Sequence, residues 1–407
     1  MRPIVGPVSL VIAIVAALVA GQINRAIYCW AWNRRSISPW SPPAPGVAPR
    51  TWRDRIPIIG WWWMRRESSV HGTAFWVRPA LIELSCAVGS VVLYQFELSG
   101  GLLPIGAVPP PPATLQVQAY RHLILIALML IATFIDLDEK TIPDEVTVLG
   151  SWLGLTTAIV WPDGMLSAWS TRVPPIDLQP LWLTAPGAWD AKWDGTFGLS
   201  VGLFSVIAWW YALLPKTLWY RGGMIKFLKY LIASILRHRL TYWLTAMAVL
   251  AAAMTGWVWH LGGERWAALL SAWMGLVVGG AIVWSVRVVG SLALQQEAMG
   301  FGDVTLLAMI GTFIGWQPTV FIFFMAPFTG VLIAVLQWLF TGRKDMAYGP
   351  FLCLATLVVL LAWPVTWSEW AFPILQLGSL LLPVLVGAAI VMGVALVVWR
   401  MISARLA

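Results

Sequence analysis

Long apolar runs recur along the whole chain, and that recurrence leaves few folds open to it. A hydrocarbon core about 30 Å thick takes roughly 20 helical residues to cross. Backbone polar groups in lipid must be satisfied inside the segment, which selects helices for runs of this length. Eleven candidate spans are read at 4–20, 79–97, 118–135, 145–161, 196–215, 241–261, 267–288, 303–316, 318–340, 349–366 and 373–399, the eighth being short. Hydrophobic residues make up 59% of the chain and charged ones 11%, against about 25% charged in a soluble domain. The expected fold class is therefore an all-α polytopic integral membrane protein of about 11 transmembrane helices around one interior.

The net charge of +8 does not point to nucleic acid, because the basic residues gather in a few loops between apolar runs. Segment 22–78 holds nine arginines against Asp54 and Glu67, and 216–240 holds Lys216, Arg221, Lys226, Lys229, Arg237 and Arg239 without an acid. Segment 98–117 has no basic residue, and 162–195 sets Asp163, Asp177, Asp190 and Asp194 against Arg172 and Lys192. Basic segments are expected inside and the others outside, which puts the N-terminus outside and the C-terminus in the cytoplasm. The arginines after residues 4–20 resist translocation, so that run is read as an uncleaved first span. Cys29, Cys86 and Cys353 lie far apart and form neither a disulfide framework nor a CxxC pair. Residues 226–238 mix lysine and arginine with leucine, isoleucine and phenylalanine, as an interfacial helix or the end of a neighbouring span would.

Two acidic motifs stand out against this apolar background. Gly300-Phe301-Gly302-Asp303 opens the eighth run, and Asp136 closes the third, followed by Leu137-Asp138-Glu139-Lys140-Thr141-Ile142-Pro143-Asp144. The span count puts Asp136 and Asp303 at the same, cytoplasmic, face. Two carboxylates within about 4 Å repel by roughly 4 kcal/mol at an effective dielectric of about 20, so one proton is shared. One group then takes a proton from water while the other protonates a peptide carbonyl. The alternative for Asp303 is an ordinary helix N-cap. Asp136 sits at the C-terminal end of its span, where a negative charge opposes the helix dipole. Asp144 is expected to cap the fourth span, and Asp138 and Glu139 to be solvated or to receive a basic peptide.

Asp136-x5-Ile142-Pro143-Asp144 followed by Gly300-Phe301-Gly302-Asp303 resembles the type IV prepilin leader peptidases, membrane aspartic proteases of the GxGD type. Asn24 to Tyr28, Asp54-Arg55-Ile56-Pro57 with Trp61, Arg78 with Pro79 and Glu83, and Gly349-Pro350-Phe351-Leu352 are similar to further family segments in the same order. The resemblance implies Asp136 and Asp303 as the catalytic pair, with Gly300, Gly302 and Asp144 supporting the motifs. It implies cleavage of the cytoplasmic leader from type IV prepilins, or from the pseudopilins of type II secretion, at a bacterial inner membrane. It also implies methylation of the new N-terminus from S-adenosylmethionine, an activity linked to the first loop; the peptidase step needs no cofactor. The expected partners are these substrates and membrane lipid, with no nucleic acid.

The chain departs from the family pattern in its first loop. The family's loop binds zinc through two CxxC pairs, whereas Ser41-Pro42-Pro43 and Glu67-Ser68-Ser69 stand near those places, so no metal site is expected. Packing is then expected to organise the loop, with Trp40, Trp52, Trp61, Trp62 and Trp63 as an apolar anchor on the membrane interface. Thr305 stands where the family commonly has lysine, and Cys29 where arginine is usual. The chain divides into a first span (1–21), the basic Trp-rich loop (22–78), spans two to four (79–195), an inserted helical hairpin (196–265), a peptidase core with GxGD (266–366) and an extra C-terminal span (367–407). A transporter or assembly scaffold, or an inactive member of the peptidase family, remains the alternative.

Overall fold

The computed structural model describes residues 6–170, 178–214, 239–294, 299–341 and 347–378, with isolated positions at 229, 232, 383, 386, 387, 390, 391 and 394. The apolar runs form helices close to their expected limits: α1 (Pro7–Cys29), α2 (Val77–Leu98), α3 (Pro112–Glu139), α4 (Asp144–Val160), α5 (Thr196–Leu213), α6 (Arg239–Leu261), α7 (Gly263–Leu294), α8 (Phe301–Ile314), α9 (Trp316–Thr341) and α10 (Gly349–Leu361). The protein is an all-α polytopic membrane protein. Among the described residues, seven helices are long and apolar enough to cross a membrane, or eight if one bent pair is a single span. Of the eleven runs read from sequence, those of α4 and α8 have only 17 and 14 helical residues, fewer than the roughly 20 a span takes, 349–366 falls in the bent pair, and most of 373–399 lies outside the described residues.

The bent pair is α10 and α11 (Trp363–Leu375), which meet at 72°. The expected run 349–366 therefore breaks at Ala362, where Pro364 begins the next helix because it cannot continue the previous one. A π-helical turn at Thr366–Ala371 follows. Most of the expected last span, 373–399, and of the expected interfacial helix, 226–238, lies outside the described residues.

Helix α8 is apolar all round, and every residue from Asp303 to Ile314 is buried, as expected for a helix enclosed by others. Glycines on its neighbours make room for it. Gly275 of α7 and Gly311 of α8 touch backbone to backbone, and a Cβ at Gly279 would stand 2.5 Å from the Leu307 carbonyl oxygen. Gly150 and Gly154 of α4 similarly accept Met309 and Thr312. Helices α1, α2, α3 and α10 complete this core with Ile27, Ile82, Ile135 and Leu352. Helices α5 and α6 pack against α4 and α7 in a second cluster, with Trp209 6.0 Å from both Trp152 and Trp273.

The end of the bundle away from Asp303 is closed by residues 161–170 and 178–187. This loop carries a short antiparallel pair, β1 (Ser167–Trp169) and β2 (Leu178–Pro180), with Ala168 opposite Gln179. Gln118 donates to the Met165 carbonyl at 2.7 Å, and the Trp316 indole donates to Leu183 at 2.9 Å, which ties the loop to α3 and α9.

Candidate active site

Asp136 sits one turn before the end of α3 and is 5% exposed. Lys140 then enters the left-handed region at φ 56° and closes the helix by donating its amide to the Asp136 carbonyl at 2.8 Å. That turn sends Thr141-Ile142-Pro143 across the bundle against the second motif. A Cβ on Gly302 would lie 2.9 Å from Ile142 Cβ and 3.3 Å from its backbone N and O. Gly302 is thus required for close approach, and the contact joins the two motifs.

Asp303 lies in the first turn of α8, with Gly300 as the N-cap, and is 8% exposed. The charge of Asp136 acts directly on the Asp303 carboxyl, so the fold brings the two expected residues into one site. Each carboxyl uses a helix N-terminus, where the first-turn N–H groups have no partner in their own helix. Asp303 accepts from the Gly300 amide. Asp136 Oδ2 accepts from the Gly349 amide at the start of α10, at 3.0 Å. A side chain on Gly349 would stand 2.6 Å from that oxygen and 2.9 Å from Ile142 Cδ1. Tyr348, one residue earlier, is close enough to feel the Asp303 charge and packs on Phe351 at 6.0 Å.

The other expected positions take different places. Asp144 is exposed and is the first helical residue of α4; the cap itself is Pro143, and Asp144 makes no capping hydrogen bond, a correction to its expected role. Its acid still suits the positive end of the helix. Asp138 is exposed and Glu139 half-buried, and both are also engaged. Asp138 is paired with both guanidinium nitrogens of Arg78 at 2.7 and 2.9 Å, and Glu139 accepts from the Trp32 and Asn33 amides at 2.6 and 2.9 Å.

The expected packing of the first loop is joined by a charge network. Arg50 holds Glu67 with two bonds of 3.1 and 2.8 Å and donates to the carbonyls of Ser36, Ser38 and Ser41. Arg66 holds Asp54 with two more, at 2.7 and 2.8 Å. Burial alone would push the Asp54 carboxyl up, but the bonds from Arg66 and the Thr51 amide outweigh it and hold it below the usual carboxylate range. Of the five tryptophans, Trp61 is buried and donates to Glu83 at 2.8 Å, whereas Trp40, Trp52, Trp62 and Trp63 are 40–69% exposed. Three of the exposed rings carry arginines instead: Arg55 over Trp40, Arg53 over Trp52 and Arg65 over Trp62.

The two segments that the resemblance aligns with the zinc-binding pairs do meet, but around a guanidinium. Arg50 occupies the Ser41 carbonyl and both Glu67 oxygens, a donor set that does not fit Zn²⁺. Among the described residues, no group of three or more His, Cys, Asp or Glu is placed to hold a metal ion.

Sequence reasoning assigned no role to the Gly349 amide or to Tyr348. The signal was the Gly349-Pro350 pair, which marks a helix start with free N–H groups.

A model of the type IV leader peptidase family matches residues 231–335, a stretch that contains Gly300 to Asp303. A prepilin leader peptidase/N-methyltransferase of Pseudomonas putida is 34% identical over 101 residues, 24% of this chain and 34% of the relative. That of Escherichia coli K12 is 34% identical over 93 residues, 22% of this chain and 41% of the relative. That of Neisseria gonorrhoeae is 28% identical over 165 residues, 40% of this chain and 56% of the relative. The chain thus spans about a third to just over half the length of these curated relatives. No solved structure matches the chain. The chain is thus similar to the type IV leader peptidase family over a stretch that holds the GxGD motif, and to prepilin leader peptidase/N-methyltransferases over 22–40% of its length.

Proposed function

We propose that this protein is an aspartic endopeptidase that removes the leader from type IV prepilins or pseudopilins, with Asp136 and Asp303 as the acting pair. The observation that carries this reading is the Gly302–Ile142 contact, which draws the two buried aspartates to one end of the bundle. Two acids that close cannot both ionise freely, so they share a proton. The ionised carboxylate takes a proton from water as the water oxygen attacks the scissile carbonyl carbon. The protonated one gives its proton to the carbonyl oxygen. Collapse of the tetrahedral species breaks the C–N bond, and a carboxyl returns a proton to the leaving amine. The assignment of roles to the two aspartates is a property of the pair.

The site lies at the cytoplasmic face of a bacterial inner membrane in this proposal, with the N-terminus outside and the C-terminus inside, following the arginine-rich 22–78 loop beside the aspartate end. A leader preceding an apolar helix would meet the pair where that helix enters the membrane. A transporter is the competing reading, and it calls for ionisable groups on broken helices near mid-membrane; here the pair sits at helix ends. Methylation of the new N-terminus from S-adenosylmethionine is a separate proposal, motivated by the relatives' shared name, and release of labelled methyl groups onto the cleaved product tests it.

The decisive experiment compares leader removal by the native chain, Asp136→Asn and Asp303→Asn at equal accumulation in membranes. Each substitution is expected to reduce cleavage by about a hundredfold or more. Cleavage that survives either substitution removes that aspartate from the chemistry. A native chain that cleaves no prepilin in a panel of leaders favours the scaffold or inactive reading.

A further inference from the structure

Arg121 is fully buried on α3, fifteen residues before Asp136, or about 22 Å along the helix. A charged side chain in that position is costly unless something demands it. Among the described residues no carboxylate acts on it. Its partners are three main-chain carbonyls: Phe313 at 3.1 Å and Thr312 at 3.4 Å, both from the same Nη2, and Trp161 at 3.5 Å from Nη1. Its Nε has no partner. The stem passes beneath Gly164, where a Cβ would stand 2.5 Å from Arg121 Cδ, so the surrounding chain is shaped to admit this one side chain.

Those carbonyls explain the placement. Helix α8 is too short to cross the membrane, so its C-terminal end stops inside the protein, where the last four carbonyls have no partner in the helix and no bulk water. Gly315 turns at φ 84° and its amide satisfies Gly311. The next two carbonyls, of Thr312 and Phe313, go to Arg121. The guanidinium reaches the α8 carbonyls through Nη2 and Trp161 through Nη1, a spread over two nitrogens that a single ammonium lacks, and a cation suits the negative end of the helix.

The consequence reaches the other end of the same two helices. α3 carries Arg121 near one end and Asp136 near the other, while α8 carries Phe313 near its C-terminus and Asp303 in its first turn. The closest glycine-mediated packing of α8 is on α7 and α4 rather than on α3. We infer that Arg121 is a positioning residue for the aspartate pair, clamping the far ends of α3 and α8 so that Asp136 and Asp303 keep their mutual spacing. This rests on the peptidase reading above for its functional meaning, and its structural content is measurable without it.

The test uses the full chain in membranes with Arg121→Met and Arg121→Lys. Leu137→Cys and Phe301→Cys, in a background with the three native cysteines replaced, carry spin labels next to the two aspartates; Leu137 is half-exposed and Phe301 partly so. Arg121→Met is expected to shift or broaden the label-to-label distance. In the unlabelled chain it is expected to lower kcat by about tenfold or more, with KM near native and an altered pH profile. Arg121→Lys is expected to recover part of each effect. A distance, kcat per folded molecule and pH profile that stay native in Arg121→Met overturn the proposal, since an arginine needed only for folding changes the amount of protein alone. Should Arg121→Met not accumulate, the lysine variant decides on the same readouts, native values overturning the clamp and intermediate ones supporting it. If the native chain cleaves nothing, the peptidase reading falls, and the label distance still decides whether Arg121 sets the spacing.

Discussion

Around Asp136 and Asp303, elements meet through glycines: Gly302 lies on Ile142 and Gly349 on the Asp136 carboxyl. In the loop between α1 and α2, they meet through long charged side chains, with Arg50 reaching three carbonyls and Glu67 at once, and Arg66 reaching Asp54. Both regions are buried in part, yet they fail differently. A glycine contact tolerates no added atom, because a Cβ at Gly349 or Gly302 would stand 2.6 or 2.9 Å from the opposing group, which would have to move. A guanidinium hub tolerates no deletion, because removing it strands a carboxylate.

The largest effect is therefore expected in the loop. Arg50→Met leaves Glu67, whose side chain is fully buried, without its main partner, at a cost of about 3 to 5 kcal/mol. Loss of hydrogen-exchange protection over residues 36–71 measures it. Replacing Glu67 as well, with Glu67→Leu, should return much of that stability, since an apolar pair of similar volume is often neutral. Chelators should leave the protection unchanged. A chelator-induced loss would show that a metal, rather than Arg50, holds the loop together.

At the aspartates, Gly349→Ala inverts the experiment by adding a single methyl group. The new Cβ falls 2.6 Å from Asp136 Oδ2, so the carboxyl must move. A displacement near 1 Å costs about a hundredfold in rate, while thermal stability changes little. Cleavage at native rate would mean that Asp136 does not depend on the Gly349 amide for its position.

The contrast also explains what the sequence could tell. Hydropathy is a local signal, so α5 is expected at 196–215 and found at Thr196–Leu213, and α8 is expected at 303–316 and found at Phe301–Ile314. The aspartates were legible for the same reason, each being an acid at the end of an apolar run. The Gly349 amide is 213 residues from Asp136, and the Phe313 carbonyl 192 from Arg121. Which orphan backbone group meets which side chain is settled by topology, and no local pattern encodes it. The loop's charge network is non-local in the same way: of the five tryptophans expected as an anchor on the membrane interface, Trp61 turns inward, where Glu83 offers its indole a buried acceptor, and the other four are exposed.

A smaller effect is expected from pH acting on the loop. Asp54 in the folded loop lies below its ordinary 3.8. Its contribution is therefore present above that value and is lost as pH falls through the lower, folded one. Arg66 is about a third exposed, so Arg66→Gln should cost only about 1 kcal/mol. It should also move the acid-induced loss of protection at residues 51–66 to higher pH. An unchanged acid limb would separate Asp54 from the loop's acid sensitivity.

The smallest effect belongs to the corner where the two regions join. Asp138 and Glu139 extend α3 beyond Asp136 and bind Arg78 and the amides of Trp32 and Asn33, which fastens the start of the loop to the aspartate-bearing helix. The Arg78–Asp138 pair is partly exposed, at 35% and 22%, so it contributes about 0.2 to 1 kcal/mol. Asp138→Asn combined with Glu139→Gln should loosen residues 30–35 in hydrogen exchange and leave KM for a prepilin within about threefold, the scale of such a loss. The acceptors that a basic leader would need are already used by the protein's own chain. A KM raised by about tenfold or more with residues 30–35 still protected would mean the opposite: the leader displaces Arg78 on arrival, and the acidic corner belongs to the substrate rather than to the loop.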